Sequence, residues 1–300
     1  MTGWEQLLES GAVRTSVDLA PHTTYKLGGP AAFFSEPADE AELLSLANAW
    51  RHTPYPLLVL GRGSNLIVAD HGYPGLVVHL GQGFRNVVFE GNVVIAGGAV
   101  HLPALARTSV EQGRRGLEFL IGIPGSVGGA VRMNAGCHGA ETVDVLLSAR
   151  IVDMGMAAAA ERVAADLDLG YRHSNLACNE VVVEARWAAP SGEQTEGEAE
   201  LREITRWRRD HQPGGTLNAG SVFKNPPEEP AGRLIDRLGL KGSNVGDVRV
   251  SEKHANFFVA GPNATAEQVR RLVEQVQGAV KAATGLELET EIRFVGWEEP

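Results

Sequence analysis

The sequence predicts an α+β fold of two or three domains, and three observations carry that expectation. Helical periodicity is confined to a few separated segments. Short β-branched runs lie between them without the regular strand–helix alternation of a parallel α/β sheet. One polar, aperiodic stretch divides the last third of the chain from the rest. With 300 residues and 43% apolar content the chain can bury a sizeable core, at roughly 100 to 200 residues per domain.

Residues 38–51, ADEAELLSLANAWR, put Leu43, Leu46, Ala47 and Trp50 on one face of a helix that would pack on a sheet. PLLVL at 56–60 then reads as a buried strand, GRGSN at 61–65 as a tight loop and LIVA at 66–69 as a second strand. From 76 to 188 come the strand-like runs LVVHL, NVVIAG, ARIVDM and EVVVEARW, with a long glycine-rich stretch and a candidate helix around 102–115. APSGEQTEGE at 189–198 is expected to be a surface connection and a domain boundary. Beyond it, ELREITRWRR at 200–209 is an expected helix. So is TAEQVRRLVEQVQGAVKAATG at 265–285, with Thr265 and Gln268 in capping-box spacing, one apolar face of Val269, Leu272, Val273, Val276 and Val280, and a stop at Gly285. LELETEIRFVG at 286–296 alternates as a final strand. The expected divisions are therefore 1–75, 76–190 and 199–300, with the strand from 286 onward returning near the functional site.

The formal net charge of −10 argues against nucleic-acid and anionic-membrane partners, so an anionic ligand would have to be handled by local groups. Cys137 and Cys178 lie far apart and form no CxxC pair, and the histidines show no HExxH or HxH spacing. Neither a disulfide framework nor a metal site is expected. Glu5 and Glu9 stand where a secretory signal would carry basic and then apolar residues, and no run reaches the roughly 18 apolar residues of a membrane span. The expected location is the cytoplasm.

Glycine supplies 36 of the residues, well above the average of about 7%, and it is clustered. In GRGSN, two glycines with Ser64 and Asn65 would let main-chain N–H groups form an anion-binding nest, although a plain tight turn explains the same letters. The loop lacks the third glycine of a dinucleotide fingerprint, and the chain has no Gly-Lys dipeptide, which excludes a P-loop. The run GLEFLIGIPGSVGGAVRMNAGCHGAE at 116–141 is more specific. Its glycines, with Pro124 and the apolar Leu120, Ile121, Ile123 and Val127 between them, suit a backbone laid against a large, flat, partly apolar ligand; a bed of close strand crossings is the alternative.

TTYKLGGPA at 23–31, VLGRGSNLIVAD at 59–70, GLEFLIGIPGSVGGAVRMNAGCHG at 116–139, YRHS at 171–174, NAGSVFKNP at 218–226, GLKG at 239–242, VSEKHANF at 250–257 and LETEIRFVG at 288–296 occur in one order over nearly the whole chain. Together they resemble the UDP-N-acetylenolpyruvoylglucosamine reductase family. That resemblance implies a two-part FAD-binding domain of the vanillyl-alcohol-oxidase (PCMH) type, covering 1–75 and 76–190, and a C-terminal α/β substrate-binding domain. It implies non-covalent FAD, NADPH as co-substrate, and reduction of UDP-N-acetylglucosamine enolpyruvate to UDP-N-acetylmuramate for peptidoglycan, by a protein expected to be a monomer.

The resemblance also assigns roles. Ser221 in NAGSVFKNP is the proton donor, Arg172 in YRHS the enol-stabilising arginine and Glu291 in EIRF the third catalytic residue. Gly61, Arg62, Gly63, Ser64, Asn65, Gly122, Ile123, Pro124, Gly125, Val127, Gly128, Asn134, Gly136 and Cys137 are the expected FAD contacts. Lys224 and Asn225 would hold the sugar and phosphates, with Lys241 and Lys253 as further diphosphate contacts. Arg206, Arg208 and Arg209 form a basic helix face that an exposed surface explains equally well. Between Asn175 and Asn218 there is no tyrosine to fold over the substrate, so the chain resembles the shorter, type II form. Ser243 departs from the bulkier residue of many relatives. A carbohydrate or alcohol oxidase would share only the FAD-binding half and leave the later motifs unexplained; a non-catalytic nucleotide-binding protein would have no need of Ser221, Arg172 and Glu291.

Overall fold

The computed structural model describes residues 2–297. In chain order its elements are α1 (Gly3–Glu9), β1 (Val13–Asp18), β2 (Pro30–Ser35), α2 (Glu40–Trp50), β3 (Leu57–Val59), β4 (Leu66–Val68), β5 (Tyr73–Val78), β6 (Val87–Glu90), β7 (Val93–Gly97), α3 (Leu102–Glu111), α4 (Val127–Met133), β8 (Gly136–Cys137), β9 (Ala140–Glu141), β10 (Leu146–Asp153), β11 (Ala158–Val163), β12 (Glu180–Ala188), α5 (Gln194–His211), α6 (Ala231–Arg237), β13 (Asn244–Val245), β14 (Val248–Val250), β15 (Phe258–Ala260), α7 (Ala266–Thr284) and β16 (Arg293–Val295). The class is α+β. No helix among the described residues is long and apolar enough to cross a membrane.

The chain divides into two compact units, and neither is a single stretch of sequence. The first takes 1–15, 33–62 and 75–207; the second takes 16–32, 63–74 and 208–300.

In the first unit an antiparallel sheet runs in the order β11-β10-β12-β7-β6, with Ile151 opposite Val182 and Ala185 opposite Ala96. Its core gathers Val94, Leu102, Leu105, Leu120, Val127, Val131, Ile151 and Trp187. A second cluster joins Leu43, Leu46 and Ala47 of α2 to Leu76, Val78 and Val181, as the helical spacing predicts. Asp39 caps α2 by accepting from the Glu42 N–H at 2.9 Å.

α4 is a helix that the sequence conceals. Gly128 and Gly129 each disfavour helix by about 1 kcal/mol, yet Ser126 caps its start and Asn134 ends it in the left-handed region at φ 40°. The glycine is required: a Cβ on Gly128 would lie 3.1 Å from the Val182 carbonyl oxygen and 3.3 Å from that of Gly98, so the helix rests almost directly on strand backbone. The stretch 189–198 is exposed from 190 to 196, as a surface connection should be, but its second half is helical. α5 begins at Gln194, inside that stretch, and its Gly197 is buried, with Val110 Cγ1 only 2.8 Å from where a Cβ would sit. Packing against α3 replaces the missing periodicity.

The second unit is built around α7. Thr265 and Gln268 form the expected capping box, Gly285 closes the helix at φ 77°, and the five predicted apolar residues are all buried. They pack with Tyr25, Ile67, Val222, Phe223, Ile235, Val248 and Phe258. β13, β14 and β15 form a small antiparallel sheet. The final strand is shorter than the alternation predicts: only 293–295 is strand, parallel to β4 with Arg293 opposite Leu66.

Candidate active site

In the first unit the candidate flavin contacts are Gly61, Arg62 and the segment 122–137; Gly63, Ser64 and Asn65 belong to the second unit. After β3, Leu60 N–H closes onto the Val78 carbonyl at 2.8 Å, and the chain turns into the loop at 61–65. A Cβ on Gly61 would sit 2.6 Å from Ser126 Oγ, so this glycine lets the two segments touch. Arg62 Nη1 lies 3.1 Å from His101 Nε2. Burial, and after it the charges of Arg62 and Arg85, hold that imidazole below its usual range, leaving it neutral and able to accept from the guanidinium.

Residues 125–128 are stitched to the sheet. Gly125 O accepts from Leu102 N–H, Val127 N–H donates to Val100 O, and Gly128 N–H donates to Gly98 O. The main-chain donors of Val127 and Gly128 are therefore engaged, and these two residues can offer a ligand only a wall. The N–H groups of Gly125 and Ser126, and those of Gly61–Asn65, take no acceptor among the described residues of their own unit. Such donors suit a diphosphate, and half-buried Ile123 with the carbon skeleton around it suits an apolar ring. The residues present fit FAD. Gly122 is needed for packing: its Cβ would meet Cys137 Sγ at 2.5 Å, and that thiol donates to the Phe119 carbonyl at 3.0 Å. Pro124 is exposed at the turn between these contacts.

Asn134 has a structural part whatever it offers a ligand. Fully buried, it donates from Nδ2 to Glu141 Oε2 and to Gly170 O, both at 3.0 Å, and its Oδ1 accepts from Val143 N–H at 2.9 Å. Its amide ties the β8–β9 hairpin to the segment that carries Arg172. The hairpin itself turns through His138 and Gly139, both at positive φ, the two-residue geometry that matches strand twist. Arg172 is also left-handed, at φ 53°, a conformation that costs a non-glycine residue roughly 1–2 kcal/mol. Its Nη2 donates to Gly136 O at 3.1 Å, Nη1 stands 3.7 Å from Glu141 Oε1, and the guanidinium lies over the Tyr171 ring at 5.0 Å. Glu141, the last residue of the 116–141 run, carries no motif signal of its own.

In the second unit, three expected residues come together through hydrogen bonds to the main chain. Glu291 N–H donates to the carbonyl of Val222, next to Ser221, at 2.8 Å. Asn65 Nδ2 donates to Glu291 O at 3.0 Å, and Arg293 N–H donates to Asn65 O at 3.0 Å. Gly220, at φ 75°, and the Asn218 side chain accepting its N–H at 3.0 Å shape the turn that presents the half-buried Ser221. Asn256 clamps this segment from below. It accepts from Phe223 N–H at 2.9 Å and donates to Phe223 O at 2.8 Å. The sequence signal for it was available: a polar residue within the apolar run ANFFVA must find partners when buried.

Gly63 needs its positive φ of 59°, because a Cβ there would lie 2.4 Å from the His22 carbonyl oxygen. Lys224 ion-pairs with Glu289 at 2.5 Å. Asn225 accepts from Ala231 N–H at the start of α6, at 3.1 Å. Lys241 pairs with Asp236 at 2.6 Å, and Lys253 donates to the Arg209 carbonyl. The lysines thus stand in contact with protein acceptors.

Comparison with known proteins agrees with this layout. A family model described as UDP-N-acetylenolpyruvoylglucosamine reductase, C-terminal domain, matches residues 212–295, and one described as FAD binding domain matches 31–155. UDP-N-acetylenolpyruvoylglucosamine reductase of Heliobacterium modesticaldum is 42% identical over 284 residues, covering 93% of this chain and 89% of its own. That of Azorhizobium caulinodans is 41% identical over 292 residues, covering 95% and 92%. The crystal structure of the Thermus caldophilus reductase has a TM-score of 0.83 at 36% identity and covers 95% of this chain and 100% of that one. The berberine-bridge-enzyme-like protein 1 of Physcomitrella patens, at 11% identity with a TM-score of 0.59 and coverage of 95% and 90%, shares the fold alone. The chain belongs to the UDP-N-acetylenolpyruvoylglucosamine reductase family.

Proposed function

We propose that this protein reduces UDP-N-acetylglucosamine enolpyruvate to UDP-N-acetylmuramate with NADPH, in the cytoplasm, as a monomer serving peptidoglycan synthesis. The observation that carries the reading is the joining of the Ser221 turn, Glu291 and Asn65 in one place, by the Glu291 N–H to Val222 O and the Asn65 side-chain amide to Glu291 O, within a chain of this family.

FAD, held by the loop at 61–65 and by the 122–137 segment, supplies hydride when bound. Reduction of the enolpyruvyl double bond leaves negative charge on the carbon next to the carboxylate, and that carbon must gain a proton. Ser221 Oγ–H is the donor in this reading, and Glu291, tied to the neighbouring Val222, belongs to the same proton-handling set. Arg172 stabilises the charge that spreads into the carboxylate. Its left-handed backbone is the kind of local strain that persists where surrounding contacts hold it for function. Lys224 and Asn225 are assigned to the sugar and phosphates, with Lys241 and Lys253 as further anion contacts. For each lysine, the substrate's phosphate oxygens would have to replace an acceptor it now holds.

The test is NADPH consumption with and without UDP-N-acetylglucosamine enolpyruvate. Consumption that depends on the enolpyruvyl substrate, with one reduced product per NADPH, is expected; oxidation indifferent to it would overturn the assignment. Ser221→Ala should leave flavin reduction by NADPH nearly intact and slow product formation by roughly 10²- to 10⁴-fold, the range for loss of a positioned acid.

A further inference from the structure

We propose that Glu141 is a positioning residue for Arg172, holding the guanidinium in register through a part-buried network with Asn134. The proposal rests on the reading that Arg172 stabilises charge on the substrate carboxylate.

The geometry is built from three anchors. Glu141 cannot turn away freely. Its Oε2 accepts from Asn134 Nδ2 at 3.0 Å, and its side chain also accepts from the Asp144 N–H in a reciprocal cap, with Asp144 Oδ2 taking the Glu141 N–H at 2.8 Å. The opposite oxygen, Oε1, faces Arg172 Nη1 at 3.7 Å. Asn134 fixes the distance between the two partners, because its other Nδ2 hydrogen bond goes to Gly170 O at 3.0 Å, two residues before the arginine.

The arginine side is equally constrained. Positive φ at Arg172 directs the side chain toward the β8–β9 hairpin, where Gly136 O accepts from Nη2 at 3.1 Å. The Arg172 side chain is 18% exposed and that of Glu141 35%, so the pair is only partly screened by water. At 3.7 Å the carboxylate attracts and orients the guanidinium without the short bidentate clasp that would neutralise it. An arginine required to meet a substrate carboxylate needs orientation, and this arrangement supplies it. A purely structural role for Glu141 would have been served by the Asn134 and Asp144 contacts alone.

Glu141→Gln separates the two roles, since the amide oxygen still accepts from Asn134 and Asp144 while the charge facing Arg172 is gone. The expected result is about a tenfold fall in kcat for the enolpyruvyl substrate with KM within about twofold, as orientation of a charge-stabilising group is lost. Flavin reduction by NADPH and the melting temperature should stay at wild-type values. In an Arg172→Lys background the Glu141→Gln change should add nothing further, the non-additivity of residues acting through one another. Wild-type turnover for Glu141→Gln, strictly multiplicative losses in the double variant, or an equal fall in both half-reactions with a lowered melting temperature would each overturn the proposal. If Arg172→Lys alone leaves turnover intact, the reading of Arg172 fails and the positioning role falls with it. That outcome is distinct from a damaging Arg172→Lys beside a silent Glu141→Gln, which defeats the positioning role only.

Discussion

At the residue scale, the second unit shows how a single buried amide holds a reactive turn. Asn256 is 2% exposed, its main-chain carbonyl accepts from Val222 N–H, and its side chain satisfies both polar groups of Phe223. Asn256→Ala removes two partners at once and leaves a buried N–H and a buried C=O unsatisfied, so it should lower stability by roughly 2–4 kcal/mol, read as a lower urea midpoint at unchanged slope. His254, two residues earlier, accepts from Asn256 N–H through Nδ1 at 3.2 Å and meets the Phe257 ring edge-on at 4.8 Å. Burial first, then the charges of Lys241 and His211, hold it below the ordinary 6.5. The unfolded chain therefore binds the proton first as pH falls, and stability should drop below about pH 6.5 and continue to drop until the folded imidazole also titrates. Urea midpoints at pH 7.5 and 5.5 should differ less in His254→Gln than in wild type; an equal difference would remove His254 from the account. Ser221, Arg172 and Glu291 were legible because they sit in ordered motifs. Asn256 was legible in part, as a polar residue within the apolar run ANFFVA; Glu141 was not, because the neighbours it meets are brought near only by the folded chain.

At the element scale, glycine carries opposite meanings in two helices, and the sequence does not distinguish them. Gly197 in α5 is buried and leaves no room, with Val110 Cγ1 at 2.8 Å and Cγ2 at 2.9 Å from a built Cβ. Gly278 in α7 has nothing within 4 Å of its Cβ position. Gly197→Leu should destabilise by about 1–3 kcal/mol through overpacking against α3, whereas Gly278→Ala should stabilise by about 0.5–1 kcal/mol through helix propensity. Thermal melts of the two variants check the opposite signs, and a stabilised Gly197→Leu would mean that α5 does not rest on α3 in solution. The same contrast explains what periodicity could find. α2 and α7 bury a regular stripe and were readable; α4 and the first turns of α5 are glycine-bearing segments held by close approach, of α4 to backbone carbonyls and of α5 to the Val110 side chain, a signal that exists only in three dimensions.

At the scale of the whole molecule, the stretch 199–300 reads as a self-contained domain, and the core of the second unit shows why its local sequence is insufficient. α7 starts on Asp70, whose two oxygens accept from Ala266 N–H at 2.8 Å and Glu267 N–H at 3.0 Å. β16 has β4 as its strand partner. Tyr25, 1% exposed, sends its hydroxyl to the Phe258 carbonyl at 2.9 Å, and Ile67 packs in the same cluster. All of these come from 16–32 and 63–74. A fragment of residues 208–300 would lack a cap that satisfies two helix N–H groups, a strand partner and two large core side chains, each loss comparable to a substantial part of the few kcal/mol that a domain of this size holds in reserve. The fragment is expected to show little fixed tertiary structure and no cooperative urea transition by circular dichroism, while the full chain unfolds cooperatively. Linking 16–32 and 63–74 to the fragment should restore a transition, and Asp70→Ala in that linked form should weaken it. A sharp transition in the bare 208–300 fragment would show instead that α7 and its neighbours carry enough core on their own, and that the N-terminal segments are accessories to the second unit.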